Sequence, residues 1–62
     1  MKEAIKKAVD HFGSQAEMAK VLGVSRAAVS HWLRAEAFPP ARAIQIEAMT
    51  KGAIKALDLV AQ

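Results

Sequence analysis

The sequence predicts an all-α fold: one small domain spanning residues 1–62, built as a bundle of about five short helices. Three observations lead there. Apolar residues recur at helical spacing through most of the chain. The 3 glycines and 2 prolines fall between those periodic stretches rather than inside them. Serines stand at the two places where a helix that follows a glycine needs an N-cap.

From Lys2 to Phe12, Ile5, Ala8, Val9 and Phe12 are spaced i, i+3, i+4, i+7. They form one face of a first helix whose other sides carry Lys2, Lys6, Lys7 and Asp10. Gly13 stands where a left-handed residue closes such a helix. Ser14-Gln15-Ala16-Glu17 then reads as a capping box, serine at the cap and glutamate three positions on. It opens a second helix that runs to about Leu22, with Ala16, Ala19 and Leu22 on one stripe and Met18 beside it. After Gly23, Ser25 caps a third helix from Arg26 to about Arg34. Val24 before the cap and Val29 in the first turn match a hydrophobic staple, and Val29, Trp32 and Leu33 make the inner side.

Ala35 to Pro40 is a loop, because a residue preceding proline is pushed out of the helical region and two prolines follow in series. Pro40 suits the first turn of a fourth helix. That helix runs to about Thr50, with Ile44, Ile46, Ala48 and Met49 expected inward and Gly52 as its stop. Ala53 to Gln62 reads as a fifth helix on the stripe Ile54, Leu57 and Ala61. The alternation at Leu57-Asp58-Leu59 leaves a short strand or β-hairpin as the alternative.

Composition narrows the function. The apolar fraction is 53%, but 14 of those residues are alanine, leaving 19 larger apolar side chains. A core that thin supplies about 3–5 kcal/mol, and small domains commonly add disulfides, a metal or a second subunit. With no cysteine there is no disulfide and no thiolate site. His11 and His31 lack ligand spacing, so no metal and no cofactor are expected. Self-association is left as the source of added stability. The net charge of +3 suits nucleic acid only weakly as evidence, since it is spread over both halves.

No apolar run approaches the ~20 residues of a membrane span, and Met1-Lys2-Glu3 does not open like a signal peptide. A cytoplasmic protein with no membrane partner is expected. An enzyme is excluded: there is no clustered acid/base set, no glycine-rich phosphate loop, and too little chain to enclose a small-molecule substrate. Division into short capped helices also argues against a membrane-active amphipathic peptide.

The informative feature is the connection Leu22-Gly23-Val24-Ser25. Two helices joined by three or four residues including glycine, crossing steeply, define a helix-turn-helix. Ala19 is small where the helices meet, Gly23 supplies a left-handed turn residue, and Val24 plugs the turn into the core. Val29 and Trp32 anchor the third helix from beneath. Arg26, Ala27, Ser30 and His31 are thereby left to project outward, at positions that reach base edges when such a helix lies in the major groove.

Gln15 through Arg34, QAEMAKVLGVSRAAVSHWLR, resembles the helix-turn-helix of phage Cro proteins and related small prophage repressors. The likeness rests on Gln15, Ala19, Gly23-Val24, Val29 and Trp32. The run Pro39 to Gly52, containing ARAIQIEAMTKG, resembles the segment that follows the recognition helix in that family. Together they cover over half the chain. The resemblance implies a sequence-specific DNA-binding protein that dimerises on a partly palindromic double-stranded operator and represses transcription. It leaves the C-terminal third open, since the family has both helical and β-hairpin forms there.

Carried over, the resemblance puts Arg26, Ala27, Ser30 and His31 at the base-reading positions. Arg26 has the donors for guanine O6 and N7, and Ala27 a methyl for thymine. Ser14 and Gln15, at the start of the second helix, are placed for a phosphate. Ser25, Lys20, Arg34 and Arg42 are further backbone candidates, Ser25 being first a helix cap. The apolar Ile54, Leu57, Leu59 and Val60, with Phe38, are the candidate dimer interface, although Phe38 also suits the core. The competing reading is an antitoxin-like or other protein-interaction module with secondary DNA binding. Arg26, His31 and Arg34 on the third helix point away from it.

Overall fold

The computed structural model describes residues 3–60. Four α-helices follow in order, α1 (Glu3–Phe12), α2 (Gln15–Leu22), α3 (Arg26–Ala35) and α4 (Pro40–Met49), and then a single 3-10 turn at Ala56–Asp58. No strand occurs among the described residues. The expected helix start at Lys2 and the apolar Ala61 lie outside them.

Local chemistry sets the helix ends. Ser14 Oγ accepts from the Glu17 N–H at 3.1 Å, and Ser25 Oγ accepts from the Ala28 N–H at 3.0 Å, so both serines cap as their spacing predicts. Pro40 occupies the first turn of α4, where its missing N–H costs nothing. Gly52 after α4 is left-handed, with φ 82°, as a helix stop requires, and two non-glycine residues, Glu36 after α3 and Lys51 after α4, also take the left-handed conformation, each with φ 54°.

One apolar cluster joins all the elements. Ile5 and Ala8 of α1 meet Met18, Ala19 and Leu22 of α2, and Val29 and Leu33 of α3. Phe38, Ala43, Ile46, Ile54 and Leu59 complete it. Two expected stripes are corrected. In α2, Met18 lies inside and Ala16 is exposed. In α4, Ala43 and Ile46 face the core, while Ile44, Ala48 and Met49 point away.

The segment after α4 forms the 3-10 turn instead of a longer helix because distant groups capture its backbone. Thr50 Oγ1 accepts from the Ile54 N–H at 3.2 Å and Glu47 Oε1 accepts from the Ala56 N–H at 2.7 Å. The Phe38 N–H donates to the Leu59 carbonyl at 2.8 Å, tying the segment to the loop before α4. These bonds seat Ile54 and Leu59 in the core and leave Leu57, between them, 77% exposed.

Candidate nucleic-acid interface

The α2–α3 connection is built to hold one geometry. Gly23 has φ 74°, and its N–H donates to the Lys20 carbonyl while the Val24 N–H donates to the Ala19 carbonyl. That pair of bonds closes the last turn of α2 as a Schellman motif. A Cβ added at Gly23 would meet nothing within 4 Å, so the residue is selected by its backbone conformation rather than by crowding. Ala19, only 5% exposed, belongs to the core side of α2, the helix that packs on α3. Val24 packs against the core from the turn, and Val29 is fully buried beneath α3.

With α3 anchored this way, Arg26, Ala27, His31 and Arg34 are exposed on it. Arg26 and Ala27 lie in its first turn and His31 one turn further. Ser30 shares the stripe of Arg26 and Arg34 but is half-buried. Its hydroxyl donates to Gln15 Oε1 at 2.9 Å, linking the middle of α3 to the first residue of α2. Gln15, Ser30, Leu33, Arg34 and Glu36 line a shallow cleft of about 400 Å³ between the two helices.

The expected phosphate-contacting residues divide. Ser14, Ser25, Lys20 and Arg34 are exposed, and Gln15 is half-buried. A serine hydroxyl that accepts the cap bond keeps its own proton to donate. Arg42 is engaged in the fold: one guanidinium nitrogen donates to the Leu22 carbonyl at 3.2 Å and to Gln45 Oε1 at 2.8 Å. A cation at the C-terminal carbonyls of α2 is favoured by the helix dipole. The sequence offered no local signal for this, because Arg42 and Leu22 belong to different helices.

Of the five residues expected at a dimer interface, Phe38, Ile54 and Leu59 fill the protomer's own core, at 2%, 6% and 0% exposure. Leu57 is outside and Val60 half-buried. These two join Pro40, Ile44 and Ala56 around an apolar groove of about 420 Å³. Ile44, expected inward on α4, is instead 63% exposed.

Among the described residues no group of acidic, histidine or cysteine side chains forms a metal site, and no helix is long and apolar enough to cross a membrane. A family model described as DNA-binding transcriptional regulator Cro matches residues 4–62. The regulatory protein cro of Salmonella phage P22 is 48% identical to this chain over 50 residues, covering 81% of this chain and 79% of that relative. No solved structure matches.

Proposed function

The chain belongs to the Cro family of DNA-binding transcriptional regulators, and within it we propose that two copies act together on a partly palindromic operator. α3 of each copy lies in the major groove. The observation that carries this is the exposure of Arg26, Ala27 and His31 together within the first six residues of a helix whose other side is locked into the core. Arg26 donates to guanine, Ala27 touches a thymine methyl, and His31 donates to a base or a neighbouring phosphate. Ser14, Gln15, Ser25, Lys20 and Arg34 set the register on the backbone. Arg42 braces the turn.

Few groups read bases in each protomer, so pairing supplies affinity and register. A two-fold dimer reads half-sites about 34–36 Å apart on one side of the duplex. The groove edged by Ile44 and Leu57 supports this reading as the dimer face, since it is the exposed apolar surface nearest the expected interface. Occupation of promoter DNA then represses by steric exclusion, in the cytoplasm where the DNA lies.

Selection of random duplex DNA on the purified protein, followed by titration of the winner at two salt concentrations, tests the proposal. A palindromic consensus is expected, with Arg26→Ala weakening binding about 5- to 150-fold per half-site and relaxing preference at one base pair. Steep salt dependence with no consensus overturns it in favour of backbone-dominated binding.

A further inference from the structure

We infer that Ser30 acts on DNA through Gln15: it is a positioning residue that turns the Gln15 side-chain amide toward the phosphate, not a reader of bases. This rests on the α3 docking proposed above and adds a role for a residue on the reading stripe.

Serine has a single proton to donate, and that of Ser30 goes to Gln15 Oε1 at 2.9 Å. Ser30 is half-buried between α2 and α3, unlike its exposed neighbours Ala27 and His31. To donate to a base edge it would have to abandon Gln15. The consequence lies on the other partner. A glutamine amide has an acceptor end and a donor end, and a DNA phosphate only accepts. Holding Oε1 against Ser30 directs the Gln15 NH2 away from α3. Gln15 is also the first residue of α2, where the helix dipole favours an anion. The amide donors and the positive end of the helix therefore serve the same phosphate.

Fixing the side chain beforehand matters because a free glutamine loses its rotamer freedom on binding. The cleft beside the pair, with Arg34 on its wall, leaves the approach open. Arg34 and Gln15 then hold the backbone in different ways. The arginine neutralises charge and displaces counterions; the neutral amide adds direction without doing so.

The test uses the selected operator and single-base variants of it. Ser30→Ala is expected to weaken binding about three- to tenfold per half-site, the loss of one neutral hydrogen bond. The loss should be equal on every operator variant, with base preference and the salt slope of log K unchanged. In a Gln15→Ala background, Ser30→Ala should cost nothing further, whereas with Gln15 in place Ser30→Thr, which keeps the hydroxyl, should bind as the parent does. Arg34→Ala, by contrast, should reduce the salt slope by about 1.

Relaxed preference at one base pair in Ser30→Ala, with Gln15→Ala leaving that preference intact, identifies Ser30 as a base reader and overturns the inference. Additive losses in the double variant, or parental affinity in Ser30→Ala, overturn it equally. If the parent protein selects no operator, the docking reading falls and this inference with it. That outcome is seen before any Ser30 variant is made.

Discussion

Phe38 lies in the loop between α3 and α4 with 2% of its surface exposed, its N–H bonded to the Leu59 carbonyl and its ring centroid 5.5 Å from that of Trp32. Truncating a buried phenylalanine costs about 3–5 kcal/mol, and a core of this size supplies about the same total. Phe38→Ala is therefore expected to leave the chain largely unfolded at 25 °C, read as loss of the helical circular-dichroism signal and of a cooperative melting transition. The sequence left this side chain between two roles because neighbouring prolines say that a loop is present and nothing about what its side chains touch. The bond from Ser30 to Gln15 was equally hidden. Both residues were legible as polar groups on the right helices, but their pairing depends on how those helices cross.

The helices differ in how far the sequence announces them. α1, α2 and α3 were readable almost to the residue, since their ends are set by caps and turns built from adjacent amino acids. α4 was readable in extent but not in orientation. Its core contact is made by Ala43 and Ile46 while Ile44 stays outside, and a helix with two isoleucines among alanines has little contrast between its faces. The segment after it was the least legible, because Glu47, Thr50 and Phe38 determine its path from a distance.

The reach of Arg42 from α4 to the end of α2 is a similar long-range device, and it can be isolated. Arg42→Met keeps the apolar stem and removes the donors. A hydrogen bond from a charged group contributes about 1.5–3 kcal/mol, and half-burial of Arg42 places it toward the lower end. The melting temperature is expected to fall by about 5–10 °C. The salt slope of operator binding should stay at the parental value; a slope reduced by about 1 would make Arg42 a phosphate contact instead.

The proposed pairing of protomers draws on surface that the fold leaves outside. Leu57, 77% exposed, contributes little to the protomer's stability and stands at the edge of the apolar groove with Ile44. Leu57→Asp should melt within a few degrees of the parent, sediment as a monomer, and bind the operator about 10- to 100-fold more weakly, the effect of a leucine's burial lost at the interface. Unchanged sedimentation and affinity would remove this face from the interface. Leu59→Asp, two residues away, would instead place a charge in the core and unfold the protomer, because Leu59 is fully buried. Two leucines with one residue between them thus separate assembly from folding.

The bond between the Phe38 N–H and the Leu59 carbonyl also has a bearing on biosynthesis. Leu59 lies beyond all four α-helices, so a ribosome has made every one of them before the residue that closes their shared interior is added. The nascent helices emerge with Ile5, Met18, Val29 and Ile46 still lacking that cover. Packing becomes complete only once the 3-10 turn has cleared the exit tunnel, so this domain cannot finish folding helix by helix as the chain emerges.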